Sequence, residues 1–105
     1  MGIGIQTVRE LALALPGVIE VAHHERTAFR TKRKIFCTVD SASSTMNLMF
    51  DPYLRDFYCE QHPSAFRPFA GAWGAKGATL CHLHLVDEAL ATSAIAAAYG
   101  CAAPI

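Results

Sequence analysis

The residues best placed to do chemistry lie between Arg26 and Lys34, where R-T-A-F-R-T-K-R-K holds five of the nine Lys and Arg residues in the chain. Arg30, Lys32, Arg33 and Lys34 cluster where two short strands, residues 27–30 and 34–39, would turn back on each other. Cations on a hairpin tip can meet phosphate oxygens without being buried. Such contacts supply affinity without sequence information and weaken with salt. The same pattern also suits a solvated wing whose edge lysines deter strand-to-strand association. Residues 64–77 offer a second wing, with Arg67 and Lys76 as its cations. Trp73, the lone tryptophan, either stacks on a base or partner there or anchors the core.

Histidine and cysteine are the next candidates. His82 and His84 share one face of an expected strand, and side chains at i and i+2 can converge on a metal. Two ligands do not make a site. Cys59 and His62 supply two more only if the fold brings them close, and Glu10 and Glu20 are too few for an oxygen-ligand metal. No metal and no cofactor is expected. His82 and His84, with Phe29 or Phe36 and Trp73, instead suggest an exposed sheet face for a protein or small-ligand partner, the alternative reading of function. No nucleophile elbow, Walker loop or G-x-G-x-x-G motif occurs. Gly71, Gly74 and Gly77 precede an expected strand, whereas a phosphate cradle needs a helix N-terminus. The expectation is a binding module, not an enzyme.

Composition bounds these readings. A chain of 105 residues fits a single domain, residues 1–105 with a core over about 7–103. With 52% hydrophobic and 17% charged residues, disorder is not expected. The net charge is zero, so only the local excess at residues 26–34 points to a polyanion. The four cysteines, Cys37, Cys59, Cys81 and Cys101, form no C-x-x-C pair and read as reduced, small core residues. The first residues, M-G-I-G-I-Q, lack a secretory n-region, and Gln6 stands where a myristoylation signal wants Ser or Thr. No run approaches the ~18 apolar residues of a membrane span. A cytoplasmic protein, off the membrane and monomeric, is expected.

The elements that must position these groups follow from local pattern. Val8, Leu11, Ala12 and Leu15 predict a helix over residues 7–15, stopped by Pro16-Gly17. Residues 18–25 read as a connector with some extended character. In the hairpin, a two-residue turn at Lys32-Arg33 would set Thr31 opposite Lys34 and Phe29 opposite Phe36. That register puts Phe29, Thr31, Lys34, Phe36 and Thr38 on one face, and Ala28, Arg30, Ile35, Cys37 and Val39 on the other. Residues 46–50 form the next strand, and Asp51-Pro52 opens a helix that runs to about Gln61. Residues 64–77 are irregular, residues 78–85 a strand. Asp87 caps a last helix ended by Gly100.

In this order, L-A-L-A-L-P-G-V-I-E (11–20), A-F-R (28–30), K-I-F-C (34–37), Trp73 and A-A-A-Y (96–99) resemble the MmcQ/YjbR-like family of small bacterial proteins. The chain departs from it at Arg33, where the family usually has glycine, and at Ala98, where it usually has serine. The resemblance implies an α+β, CyaY-like fold: a twisted antiparallel sheet with the N- and C-terminal helices packed on one face. It also implies double-stranded DNA as partner, bound through two projecting hairpins in a double-wing arrangement. The basic residues at 30–34, with Arg67 and Lys76, would then contact duplex phosphates.

Overall fold

The computed structural model describes residues 2–23 and 26–102, the side chain of His23 excepted. In chain order the elements are α1 (Ile5–Leu13), β1 (Ile19–His23), β2 (Arg26–Arg30), β3 (Ile35–Asp40) and β4 (Thr45–Met49). There follow α2 (Pro52–Gln61), β5 (Phe66–Pro68), α3 (Ala72–Ala75), β6 (Ala78–His82), a 3-10 turn (Leu83–Leu85) and α4 (Glu88–Ala102). The strands make one antiparallel sheet in the order β1-β2-β3-β4-β6-β5. This is the expected α+β class, with α1, α2 and α4 as a layer on one side. α4 lies against β3 and β4, α1 packs on α4, and α2 closes the layer over β5 and β6.

Strand alternation sorts the side chains. Phe29, Cys37, Val39, Met46, Leu48, Cys81 and Phe66 point under the helices and are buried with Val8, Leu83 and Ile95. Tyr58 on α2 stacks on Phe50, ring centroids 5.0 Å apart, and its hydroxyl shares a 2.6 Å hydrogen bond with Ser93 on α4. The two helices are therefore tied to each other as well as to the sheet. Both acidic caps expected from sequence are made: Asp51 Oδ1 accepts from the Leu54 amide and Asp87 Oδ1 from the Leu90 amide, each at 2.8 Å.

Four local expectations need correction. Residues 19–23 are an edge strand, not a connector, paired with β2 from Ile19 opposite Arg30 to His23 opposite Arg26. The first helix starts two residues early, at Ile5 after Gly4, and ends two early, at Leu13. The last strand stops at His82, because the Leu83 amide bonds Ser44 O and Leu83 O accepts from Ile3, which turns the chain out of the sheet. The last helix runs through Gly100 to Ala102, so this glycine makes no left-handed C′ turn.

The hairpin register is also shifted. Phe29 pairs with Cys37, and Arg30 with Ile35, so Phe36 is an extra residue in a bulge. The bulge lets Phe36 and Cys37 both enter the core, where Phe36 meets Tyr99 of α4 edge-on at 5.7 Å. Thr38 consequently moves to the helix-free face, with Ala28, Arg30 and Ile35.

Candidate nucleic-acid interface

The turn between β2 and β3 is built on one side chain. Thr31, 3% exposed, accepts from the amides of Arg33 (3.1 Å) and Lys34 (3.3 Å) through Oγ1, and donates the same hydroxyl to Ala102 O at 2.8 Å. The Thr31 amide donates to Lys34 O at 3.0 Å, as the expected pairing requires. Lys32 and Arg33 keep negative φ, so the strained conformation of a type I′ turn is avoided. Arg30 folds back on the turn, its Nε donating to Thr31 O (3.1 Å) and its Nη2 to Lys32 O (3.4 Å). The basic tip is thus a fixed structure anchored to the end of α4.

A second wall rises from the glycine-rich segment. The single turn α3 sits so close to its neighbours that a β carbon at Gly74 would collide with the carbonyl of Phe69, and one at Gly77 with the carbonyl of Phe50. Gly77 also has φ +120°, which disfavours any side chain. Arg55 on α2 donates to Gly74 O at 2.7 Å and holds the turn in place. The turn presents Trp73, 63% exposed, with Lys76 Nζ 5.7 Å from its ring centroid. Trp73 is therefore not a core anchor.

Between the two walls, on the face of the sheet that the helices leave open, is a cleft of about 730 Å³. Five cations line it: Arg26 and Arg30 from β2, Arg33 and Lys34 from the turn, and Lys76 beyond α3. Among the described residues no carboxylate does so. Its floor includes Thr38 and Asn47, 4% and 7% exposed and paired across β3 and β4. Such a recess in a low-dielectric surface concentrates the field of its cations more than an exposed wing would.

The structure therefore gathers Arg30, Arg33, Lys34, Lys76 and Trp73 into one place and leaves other candidates out. Lys32 and Arg67 are exposed but do not line the cleft. Phe29 and Phe36 are fully buried, which removes them from any exposed partner face. His82 is half-buried at the far end of β6, and His84 lies on the 3-10 turn, not on the same strand face; their rings are 5.9 Å apart. Among the described residues no three His, Cys, Asp or Glu side chains converge as metal ligands. Glu20 is engaged by Arg9, whose Nε donates to it at 2.9 Å and whose pKa is raised by that bond. Burial pushes the Cys37 thiol up to about 12, helped by Cys81 and opposed by Arg26, and burial likewise takes Cys81 to about 12. Neither carries a thiolate near neutral pH.

Thr38 and Asn47 were not among the candidate site residues expected from sequence. Thr38 and Asn47 alternate with Cys37, Val39, Met46 and Leu48, and that period of two is the signal for a shared face opposite the core.

Among the described residues no helix is long and apolar enough to cross a membrane. No curated protein matches the sequence. The crystal structure of Deinococcus radiodurans protein DR2400, a DUF419 domain, is similar in fold, with a TM-score of 0.77 at 17% identity over 91% of this chain and 75% of that one. The family model for YjbR matches residues 13–101, most of the sequence. The chain belongs to the YjbR family.

Proposed function

We propose that this chain is a DNA-binding module that holds the phosphodiester backbone in the cleft, with the hairpin turn on one side and the α3 turn on the other. The observation that carries this reading is the convergence of five cations from two separate segments in a protein of zero net charge. Lys34 and Lys76 act as point charges, one on each wall. Arg30 is held by its own turn, so its guanidinium is ordered before a ligand arrives and loses little freedom on binding. Exposed Trp73 offers an aromatic surface beside Lys76. No bond is made or broken in this function. The protein supplies position and charge.

The test is titration of a fluorescent DNA oligonucleotide by anisotropy at salt concentrations from about 50 to 200 mM. Three to four phosphates neutralised at the rim give a slope of log K against log salt of about −2.7 to −3.6 with duplex DNA. Binding that is absent at the lowest salt, or a slope near zero, would overturn the proposal.

A further inference from the structure

Beneath the cationic rim the cleft has a floor of a different character. Thr38 and Asn47 stand opposite each other on β3 and β4, both more than nine-tenths buried and both lining the cleft. Thr38 Oγ1, Asn47 Oδ1, and Nε and Nη2 of Arg26 have no hydrogen-bond partner among the described residues, although all four atoms are buried. Buried polar atoms are nearly always paired with protein or ordered water, so four such atoms in one recess mark a place where a polar ligand can take over from solvent. The set is mixed. Arg26 gives two charged N–H donors, the hydroxyl gives or accepts, and the amide oxygen only accepts.

That mixture discriminates between ligands. A bare inorganic anion satisfies the arginine and the hydroxyl but offers no donor to Asn47 Oδ1 and leaves that acceptor unpaired. A nucleotide carries acceptors on its phosphate and both donors and acceptors on its base or sugar, and it satisfies every member. A base pair stacked inside a duplex presents only its backbone and groove edges, so it meets the rim cations and not Thr38 and Asn47, which lie buried beneath them. A base free of its stack can enter, and Trp73 at the mouth offers the ring for it to lie against.

We infer that the floor formed by Arg26, Thr38 and Asn47 is a subsite for one unpaired nucleotide, and that the cleft prefers single-stranded to double-stranded DNA. This rests on the DNA-binding reading above and names the form of DNA it takes.

Single-stranded and duplex oligonucleotides of equal length and sequence, titrated at one salt concentration, test it. The single strand binds tighter by about tenfold or more, the scale of one stacked base. Thr38→Val and Asn47→Leu remove the floor's polar atoms at similar volume, and burying an apolar group there leaves Tm unchanged or raised. Each variant brings the affinity for the single strand down to about that for the duplex. A nucleoside monophosphate competes with the single strand, and inorganic phosphate at matched ionic strength does not. Equal affinity for both forms, or a preference that survives both variants, overturns the inference alone. Competition by inorganic phosphate as strong as by the nucleotide makes the floor a plain anion site and also overturns it. A monophosphate that binds as tightly as the oligomer makes the free nucleotide the ligand and overturns the strand preference. No binding of either form at low salt defeats the DNA reading itself, and the inference with it.

Discussion

Replacing Thr31 by Val removes one hydroxyl from the base of the hairpin turn and keeps its volume. That hydroxyl accepts from the Arg33 and Lys34 amides and donates to Ala102 O, at 3.1, 3.3 and 2.8 Å. The two amides belong to exposed residues and can turn to water. The carbonyl belongs to fully buried Ala102 and loses its donor. One net hydrogen bond is worth about 1 kcal/mol, and an unsatisfied buried group costs about 1–3 kcal/mol, so Thr31→Val should destabilise the protein by about 2–3 kcal/mol. In urea, with a slope of about 1–1.5 kcal/mol per molar for this size, the midpoint falls by about 2 M at unchanged slope. DNA affinity also falls severalfold although no cation is lost, because Arg33 and Lys34 are no longer fixed by a shared acceptor. Thr31→Ser keeps the hydroxyl and should recover most of both losses. A Val variant within about 0.5 kcal/mol of the parent would refute the claim that this hydroxyl organises the turn.

Gly77→Ala introduces a side chain at φ +120° and drives its β carbon against the Phe50 carbonyl; the expected loss is about 3 kcal/mol or more, and a Tm within a few degrees of the parent contradicts it. Arg55→Met keeps the aliphatic stem but removes the donor to Gly74 O; stability should drop by about 1 kcal/mol and amide hydrogens of residues 72–76 should exchange faster, while unchanged exchange would show that α3 is held by packing alone. Cys37 and Cys81 ionise near 9.0 when unfolded and near 12 when folded. The unfolded state therefore binds fewer protons across that interval, and stability falls as pH rises through it, by up to about 1.4 kcal/mol per pH unit for each thiol. Urea midpoints between pH 8 and 11 measure the decline, and Cys37→Ala should flatten it; an equally steep decline in that variant would place the cause elsewhere.

Much of the frame was legible because its signals are local. Asp51-Pro52 and Asp87 announce helix starts through a side-chain oxygen that meets an amide within the next turn. The alternation of Met46, Leu48 and Phe50 states which way β4 faces. Long-range choices were less visible. Both faces of the hairpin carry apolar residues, so nothing local shows that Phe36 bulges and that Phe36 and Cys37 both turn inward. The edge strand β1 owes its existence to pairing with β2, which its short V-I-E-V pattern only suggests. Gly100 stays helical because its helix has a sheet to pack on, and helix packing overrides a local stop signal. The cationic tip was visible as a charge cluster. Its union with Lys76 and Trp73 was not, because the two segments meet only through the sheet order that sets β4 between β3 and β6. The polar floor was hidden for a related reason. Thr38 and Asn47 look like solvent-facing strand residues until the walls on either side bury them.

The cleft itself is the central claim, and comparing charge reversals inside and outside it tests that claim most directly. Lys34→Glu and Lys76→Glu each invert one cation that lines the cleft, on opposite walls, whereas Arg67→Glu inverts an exposed cation outside it. All three change the net charge equally, so a response to overall charge alone would be the same for each. The account predicts that anisotropy titrations with one DNA oligonucleotide at one salt concentration show a loss of about tenfold or more for each of the first two, and a salt slope shallower by about one, with little change for Arg67→Glu. Three equal losses, or a larger loss for Arg67→Glu, would contradict it.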